Sequence, residues 1–403
     1  MKSLLITLLL FCLMAAKSVN ETPVSNPQFV GGVPRFTTDA TGSPLLSWVE
    51  KISEKEAAFY FAISSDGQTF GEKIRVKAPP NISVHAEGMP KVAVKADGTL
   101  LAVFEVPNPT PESRFAGDLL YTMSTDNGKS WTEPVPVHQN VKPGTSHSFS
   151  DITRLPNGEI GVVFLDEKLP GREGRPVVFA QTIKGKGFGT AVLVDDNACQ
   201  CCRTNVFVDA KENIHLTYRD LLPSGKTDVP ASRDISTAVS TDGGKTFGKP
   251  QVVFADHWQV NACPHAGPVV AQLGNDILMT WFSGKEDAVG LRLARLGSDK
   301  LASSVLSNRA KHPQIATAGN QLVWVWDEAV SKDGSNQMGS FVQRIGMCTF
   351  AGGESSSTTY LTPETVDATY PAVLATKQGV LVAYEQTKDK GKPVIVVRQL
   401  AAQ

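Results

Sequence analysis

One short turn motif recurs along this chain at a nearly constant spacing. A full copy, Ser-Thr-Asp-Asn-Gly-Lys-Ser-Trp, occupies residues 124–131. Copies of the same pattern end at the aromatic residues Phe70 and Phe247, and a degenerate copy at 184–188 ends at Phe188. The aromatic positions follow one another at about sixty residues, and a fixed period of this kind indicates one supersecondary unit per repeat. The chain should therefore fold as a series of similar units.

Each unit has the pattern of four short β-strands. In the second unit, residues 91–96 and 100–106 flank an Asp-Gly turn, and residues 119–124 lead through the recurring motif into 132–137. Seven such hairpins can be found, and helical periodicity is nearly absent. Four-stranded units repeated around an axis are the blades of a β-propeller. The sequence predicts an all-β propeller of seven blades, with six as the second choice because the fifth unit is short.

The last unit contains only three convincing strands. We expect a segment near residues 27–31 to supply the fourth strand, which would close the ring between the N-terminal and C-terminal strands. One propeller domain is then predicted for residues 19–403.

The recurring turns resemble the Asp-boxes, or BNR repeats, of the sialidase superfamily. In an Asp-box the Ser and Asp side chains bond to their own turn, so the resemblance implies a structural role for these residues. It also implies that the turns join third and fourth strands, on the face of the propeller opposite the active site. Sialidases use an arginine triad, a tyrosine nucleophile and an aspartic acid. Candidates for such roles here are Arg203, Asp220, Arg309 and Tyr370, with Arg35 and Arg219 as further arginines. The family's Phe/Tyr-Arg-Ile-Pro motif is absent, because Pro34 precedes Arg35, so no catalytic role is transferred.

Composition and the first residues indicate where the protein acts. The chain has 403 residues and a formal net charge of −1, which gives no indication of a nucleic-acid partner. Residues 1–18 combine Lys2, an apolar run and Ala-Lys-Ser, as in a secretory signal peptide. We therefore expect export to the periplasm or the extracellular space. No later apolar run is long enough to span a bilayer.

Chemically active residues occur where each unit begins. These lead-in segments contain histidine, cysteine, arginine or tyrosine next to the predicted first strand: Arg35; His85 and Glu87; His147; Cys199, Cys201, Cys202 and Arg203; Cys263 and His265; Arg309 and His312; Tyr370. First strands of propeller blades are innermost and run in the same direction, so we expect the lead-ins to surround one mouth of the channel. The corners between second and third strands, which are acidic in six units, should open on the same face.

The cysteines and histidines favour a metal site at this mouth. Thiolates and imidazoles suit copper or zinc, and the two cysteine-bearing lead-ins begin adjacent units. The predicted ligands are Cys199, Cys201, Cys202, Cys263 and His265, with His85, His147 and His312 as second-tier candidates, and copper as the most plausible metal. A disulfide, for example between Cys202 and Cys263, is the structural alternative for an exported protein.

Three function classes therefore stay open: a metal-binding or redox protein, a glycan hydrolase or lyase, and a binding module with a structural disulfide. The partner would be a metal ion, a small molecule or a glycan. The sequence does not identify a protein partner.

Overall fold

The chain forms a ring of seven antiparallel sheets. The computed structural model describes residues 21–225, 229–332, 334, 339–389 and 391–401, and the prediction of an all-β propeller with seven blades is confirmed. The predicted signal peptide, residues 1–18, lies outside the described residues. Within those residues, the single helical element is a 3-10 turn at Glu286–Ala288, and no helix has the length and apolar character that crossing a membrane would require.

Each blade consists of strands that follow one another in the chain. The strands of the first four blades, from the inner to the outer strand, are β2 (Val30–Thr38), β3 (Pro44–Lys51), β4 (Ala57–Ile63) and β5 (Ile74–Arg75); β6 (Lys91–Val94), β7 (Leu100–Pro107), β8 (Gly117–Ser124) and β9 (Val135–Pro136); β10 (Ser148–Arg154), β11 (Ile160–Leu165), β12 (Arg175–Gln181) and β13 (Val192–Ala198); β14 (Asn205–Val208), β15 (Ile214–Arg219), β16 (Ile235–Ser240) and β17 (Gln251–Phe254).

The remaining three blades follow the same plan with two variations. Their strands are β18 (Val269–Leu273), β19 (Asp276–Ser283), β20 (Gly290–Arg295) and β21 (Leu301–Val305); β22 (Ala310–Ala318), β23 (Gln321–Ser331), β24 (Phe341–Ala351), β25 (Glu354–Ser355) and β26 (Thr359–Tyr360); β27 (Asp367–Thr376), β28 (Gly379–Thr387), β29 (Val394–Ala401) and β1 (Glu21–Pro23). In the sixth blade, β25 and β26 both pair with β24. In the seventh, the outer strand β1 comes from the start of the described chain.

The predicted closing strand lies at different residues from those expected. Residues 21–23 pair with β29, whereas Val30 and Gly31 already belong to the first strand of blade 1 and pair with β3. Closure between N-terminal and C-terminal strands is thus correct, but the prediction of residues 27–31 is wrong. Gly31 donates a hydrogen bond from its amide to the carbonyl of Pro393, next to blade 7, without being paired in that sheet.

Apolar side chains fill each interface between neighbouring blades. Between blades 7 and 1, for example, Trp48 packs with Leu381 and Ile395, and all three are almost completely buried. Equivalent clusters lie at the other six interfaces. Because each sheet buries both faces against its neighbours, strands such as β11 are apolar over nearly their whole length.

The recurring Ser-Asp-Gly turns join third and fourth strands, as expected. In the second copy, Ser124 Oγ donates to Asp126 Oδ1 at 2.8 Å, and Asp126 accepts from the amide and the hydroxyl of Ser130. Three of the aromatic rings pack on a third-strand aromatic of the preceding blade, as when Trp131 meets Phe61 edge-on. These motifs therefore stabilise the outer part of the ring, on the face opposite the lead-in segments.

Candidate functional site

Five units have a residue with left-handed backbone conformation within the first strand or shortly before it. These residues are Val33, Phe149, His265, His312 and Tyr370, with φ between 47° and 57°. Such φ values are uncommon for bulky or branched residues. In four of these strands a bulge accompanies the residue. Five of the seven units thus share the same backbone conformation at the first strand.

Acidic corners of neighbouring blades hold three of these residues in place. The amide of Val33 donates to Glu385, that of Phe149 to Glu105, and that of Tyr370 to Asp327, at 2.8, 2.6 and 2.7 Å. In each case the carboxylate belongs to the second strand of the preceding blade. These acids therefore brace the blades rather than standing free at the mouth. Burial raises the pKa of Glu105 and of Glu385 to about 7.

Three cysteines form a buried cluster where the chain enters blade 4. Cys199, Cys201 and Cys202 are each at most 5 % exposed, and Phe149 covers them. The sulfur of Cys199 lies 3.9 Å from that of Cys201 and 3.9 Å from that of Cys202. Two thiolates bound to one metal ion at about 2.3 Å are about 3.8 Å apart at a tetrahedral angle. The cluster therefore has the spacing that a shared metal ion requires.

Cys263 and His265 approach this cluster from the neighbouring blade. A sulfur from Cys201, the sulfur of Cys263 and a ring nitrogen of His265 lie within 4.8 Å of one another. Cys263 and His265 are exposed, whereas Cys201 is buried. The sequence prediction that these two lead-ins converge is thus met in the geometry, with Cys201 at the centre of both groups. An ion held there would be reached from the mouth side.

The cysteines are free thiols rather than half-cystines. All five cysteines in the described part of the chain are unbonded, so the proposed Cys202–Cys263 disulfide is not formed. The separations of 3.9 Å around Cys199 also exceed a disulfide bond length of about 2.05 Å. Cys348 is buried in β24, which agrees with the prediction that it fills the core.

The pKa values of the three clustered thiols are shifted in different directions. Side-chain hydrogen bonds with Cys201 and Cys202 lower the pKa of the Cys199 thiol, and Arg233 adds to this by placing Nη1 3.0 Å from the sulfur. Side-chain hydrogen bonds with Cys199 and Cys202 raise the pKa of Cys201, and burial raises the pKa of Cys202. Cys199 is therefore the thiol that is most readily ionised, which is the state that a metal ion binds.

Glu87 connects the two cysteine-bearing lead-ins from across the channel. Its Oε2 accepts hydrogen bonds from the amides of Arg203 and Gly267, at 2.9 and 2.6 Å. Burial alone would raise the pKa of Glu87, but the charge of Arg203 and these bonds hold it below its ordinary value. One ionised carboxylate thus fixes the loops that carry Cys202 and His265 relative to each other.

His85 lies beside this arrangement, and His312 lies in the channel. The ring of His85 is 5.1 Å from that of His265, and its Nδ1 accepts from the amide of Glu87. His312 directs Nδ1 at the carboxylate of Asp327, 2.8 Å away, and its ring is 4.4 Å from that of Tyr370. Burial opposes a charge on His312, but Asp327 outweighs it and raises the pKa of the imidazole. Among the described residues, neither histidine belongs to a group of three or more potential ligand atoms.

A cavity of about 470 Å³ occupies the channel. All seven first strands contribute to its wall, together with Glu87 and Arg203. Arg35 is paired there with Asp151 at 2.6 Å. Arg203 is only 3 % exposed, yet its Nε and Nη1 make no hydrogen bond, and its nearest carboxylate, Glu87, is 3.8 Å away. The cavity is therefore lined by a guanidinium, that of Arg203, with two nitrogens that lack a hydrogen-bond partner.

Other predicted site residues lie away from the cavity. Arg309 is exposed and stacks over Phe341, with the guanidinium carbon 4.1 Å from the ring centre. Arg219 is buried and donates to the carbonyls of Arg233, Ala266 and Phe282, so its guanidinium is structural.

Asp220 and His147 are also occupied by local partners. Asp220 accepts from Ser236 Oγ and the amide of Leu221, and burial raises its pKa to about 6. His147 is completely buried beside Asp166 and is not grouped with any cysteine. The prediction that all lead-in histidines meet at one site is therefore wrong for His147, because its ring turns toward blade 2.

Sequence reasoning missed Arg233 and Phe149. Arg233 lies between the second and third strands of blade 4, where only its proximity in space links it to Cys199. Phe149 is equivalent in its blade to Val33 and Tyr370 in theirs, and all three have a positive φ. An alignment of the repeats would have shown this equivalence.

Comparison with known proteins identifies the fold alone. No protein-family model and no curated protein matches the chain. A Dyadobacter fermentans protein of unknown function aligns over 95 % of this chain and 98 % of its own, at 15 % identity and a TM-score of 0.52. The α-L-arabinofuranosidase of Fusarium graminearum, in complex with arabinobiose, aligns over 94 % and 95 % at 13 % identity and a TM-score of 0.52. The intramolecular trans-sialidase of Ruminococcus gnavus aligns over 96 % and 98 % at 9 % identity and a TM-score of 0.51. The chain thus has a sialidase-like propeller fold.

Proposed function

We propose that this protein is an exported metal-binding propeller whose mouth holds copper(I) through Cys199, Cys201, Cys202, Cys263 and His265. The observation that carries the proposal is the meeting of two three-ligand groups at Cys201, one with Cys199 and Cys202 and one with Cys263 and His265, and within each group the ligand atoms lie within 4.8 Å of one another. Thiolates are soft ligands and prefer copper(I) over harder ions. Because Glu87 already holds both loops, little ordering is required when the ion binds.

The burial of the cluster supports a firmly held ion. Arg233 partly neutralises the negative charge that the thiolates acquire, and Phe149 covers the sulfurs on one side. Cys263 and His265 remain exposed and give an incoming ion access. Sulfurs of the buried residues Cys199, Cys201 and Cys202 would then complete the coordination of the ion.

Copper(I) titration of the reduced protein against a chromophoric chelator tests this proposal. Changing Cys201→Ser and Cys263→Ser together should weaken copper(I) binding by more than about 100-fold, because loss of an outer-shell partner alone costs roughly 10- to 100-fold. The propeller should stay folded, since the blade interfaces and Ser-Asp-Gly turns lie elsewhere. The Cys348→Ser variant is the matched control and should bind copper(I) as the unchanged protein does.

Material isolated from its native compartment provides the decisive comparison. We expect metal analysis to find copper and mass spectrometry to find the four cluster cysteines free of disulfides. If those cysteines are instead paired in disulfides, and no metal binds before reduction, the cluster is a structural crosslink and the proposal fails.

A second candidate function is the binding of a carboxylate-bearing sugar in the channel cavity. It is favoured by the two buried guanidinium nitrogens of Arg203 that have no hydrogen-bond partner. A charge-assisted hydrogen bond contributes about 1.5–3 kcal/mol, so an anionic ligand would compensate for the desolvation of Arg203. Two propellers of the same fold are an α-L-arabinofuranosidase, in complex with arabinobiose, and an intramolecular trans-sialidase, which makes sugars the first ligands to test.

Calorimetric titration with glucuronate, sialic acid and neutral arabinobiose would test the cavity. We expect the anionic sugars to bind and Arg203→Gln to weaken them by about tenfold or more. Arg309→Gln is the control, because that residue stacks on Phe341 outside the cavity. Equal affinity for neutral and anionic sugars, or no effect of Arg203→Gln, would exclude this role.

We do not expect the protein to hydrolyse sialosides. Burial and the nearby carboxylates of Glu385 and Asp327 raise the pKa of Tyr370, which disfavours the ionised form that a nucleophile requires. Hydrolysis of a fluorogenic sialoside should stay at background, and a robust rate that disappears in Tyr370→Phe would contradict this expectation.

A further inference from the structure

The channel cavity brings an imidazole and a phenol into contact on its wall. His312, from blade 6, and Tyr370, from blade 7, occupy equivalent positions in their first strands, and both have a left-handed backbone, with φ of 47° and 51°. Their ring centres are 4.4 Å apart, and both residues line the cavity. The side chain of His312 is 28 % exposed, so a molecule bound in the cavity can reach it.

Asp327 determines which nitrogen of His312 can accept a proton. Both oxygens of its carboxylate lie near Nδ1, at 3.0 and 2.8 Å, and Oδ2 also accepts the amide of Tyr370 at 2.7 Å. Because an ionised carboxylate only accepts, Nδ1 donates, and the lone pair of the neutral ring is on Nε2. No hydrogen bond within the described part of the chain involves Nε2. His312 therefore has an oriented basic nitrogen that is available to a ligand.

Two residues at the start of blade 4 line the same cavity with unpaired polar atoms. Nε and Nη1 of Arg203 and Oδ1 of Asn205 are buried and have no hydrogen-bond partner. The amide nitrogen of Asn205 donates to Asp151 at 2.8 Å, which identifies Oδ1 as the free acceptor. A carboxylate would satisfy the guanidinium, and a hydroxyl would satisfy the amide oxygen. The cavity thus suits a hydroxylated carboxylate such as a uronate.

The basic nitrogen and the guanidinium are near each other. Burial lowers the pKa of His312 and Asp327 raises it above its ordinary value, and Glu87 and Arg203 are close enough to act on it as well. Glu87 leaves Arg203 available, since it is 3.8 Å away and its Oε2 already accepts two amides. The volume of about 470 Å³ is in the range of small-ligand sites, about 300–1,000 Å³. One bound uronate can therefore contact Arg203 and His312 together.

We infer that this cavity cleaves uronate-containing glycans by β-elimination, with His312 as the base and Tyr370 as the acid. The inference rests on the carboxylate-binding role proposed above for the cavity and does not involve copper(I). Arg203 pairs with the carboxylate of the uronate and stabilises the negative charge that develops on it when the adjacent carbon, C5, loses its proton.

The reaction requires no group beyond those named. Nε2 of His312 takes the proton from C5, and the electron pair of that C–H bond forms the C4=C5 double bond. The C4–O4 bond breaks, and the hydroxyl of Tyr370 protonates the departing O4. The imidazolium then returns its proton to the phenolate, whose ring centre is 4.4 Å away. Burial, followed by the charges of Glu385 and Asp327, raises the pKa of Tyr370 and keeps its hydroxyl protonated, as an acid requires.

The contact between the two rings predicts which uronates are cleaved. Because the base and the acid lie side by side, they approach the sugar from one face, and the C5 proton and O4 must both be on that face. This is the arrangement in D-glucuronate, whereas in D-galacturonate the two are on opposite faces. We therefore expect cleavage of 4-linked glucuronate and no cleavage of polygalacturonate.

Hyaluronan oligosaccharides, which contain 4-linked glucuronate, provide the probe. Elimination creates a double bond conjugated with the carboxylate, and its ultraviolet absorbance measures turnover. We expect His312→Asn and Tyr370→Phe each to lower kcat by about 100-fold or more, because acid–base catalysis contributes about that much. Asparagine tolerates the left-handed backbone at position 312, and phenylalanine preserves the ring, so both variants should fold. The controls are His215→Gln and Tyr360→Phe, which lie outside the cavity and should keep the rate of the unchanged protein.

Calorimetric binding of glucuronate separates the failure of this inference from the failure of the binding role. Intact binding with absorbance at background would overturn the elimination and leave the binding role standing, whereas absence of binding would overturn both. Turnover that persists in His312→Asn or in Tyr370→Phe would show that the base or the acid is assigned wrongly. Cleavage of polygalacturonate as fast as hyaluronan would contradict attack from one face.

Discussion

Single carboxylates at the mouth have their ionisation set by the neighbouring blade. Glu385 accepts the amide of Val33 at 2.8 Å, across the junction between blades 7 and 1. Burial raises its pKa to about 7, and the carboxylate of Asp327 adds to this effect. Part of the Glu385 population is therefore protonated near neutral pH. The acidic corners thus contribute less negative charge to the mouth than their number in the sequence suggests.

The raised pKa of Glu385 makes stability depend on pH with a defined sign. The folded protein retains this proton up to about pH 7, whereas the unfolded chain releases it near pH 4.5. The contribution of the protonated acid is therefore complete below about pH 4.5 and is lost as pH rises through 7. Relative to Glu385→Gln, the unchanged protein should lose up to about 3 kcal/mol of unfolding free energy between pH 5 and 8.

Urea denaturation of the two proteins across this pH range would measure the difference. Glu54→Gln, in the exposed loop between β3 and β4, is the matched control for the loss of one carboxylate. A difference for Glu385→Gln that is flat, or that grows in favour of the unchanged protein at high pH, would contradict the assignment.

Among the structural elements, the hairpins could be predicted and the lead-in geometry could not. Alternation and Asp-Gly turns determine strands such as β6 and β7 locally, so their bounds follow from the sequence. The direction of a lead-in side chain depends instead on one left-handed residue and its bulge. Phe149 has φ 57°, and two residues earlier the ring of His147 turns toward His138 instead of the cysteines. A shift of one residue reverses the side of a strand on which a side chain lies, and the pattern of residue types does not record it.

The cysteine cluster could be predicted because two adjacent units supply it. Cys199, Cys201 and Cys202 begin blade 4, while Cys263 begins blade 5, so ring order alone brings them to neighbouring positions. The brace by Glu87 links blade 2 to blades 4 and 5 across the channel, and no sequence spacing indicates it. Contacts between adjacent units thus follow from the repeat, whereas contacts across the ring require the closed structure.

For the whole molecule, ring closure depends on three residues at the start of the described chain. Strand β1 has only three residues, too few for an alternating pattern, and the sequence therefore predicted the closing strand at the following segment, residues 27–31. Its register places Glu21 opposite Arg398 and Pro23 opposite Val396. The Glu21 carboxylate also accepts from Tyr384 OH and Gln386 Nε2, at 2.8 and 3.1 Å. Without β1, the edge of β29 would be exposed to solvent.

Removing β1 should therefore destabilise the propeller as a whole. A chain that begins at Asn26 loses both bonds to Glu21, the bond from Val24 N to the carbonyl of Ile395, and the bond from Ile395 N to Ser25 Oγ. At about 1 kcal/mol per net hydrogen bond, the unfolding free energy should fall by about 2–4 kcal/mol. Hydrogen exchange of the β29 amides should also accelerate, and the free edge should promote aggregation. A chain that begins at Glu21 is the control, because it keeps β1 and should melt and exchange as the longer protein does. If the chain from Asn26 shows the same melting temperature and the same β29 protection as that control, β1 does not close the ring in solution, and closure must rest on the Gly31–Pro393 contact and the packing of Trp48 against Leu381 and Ile395.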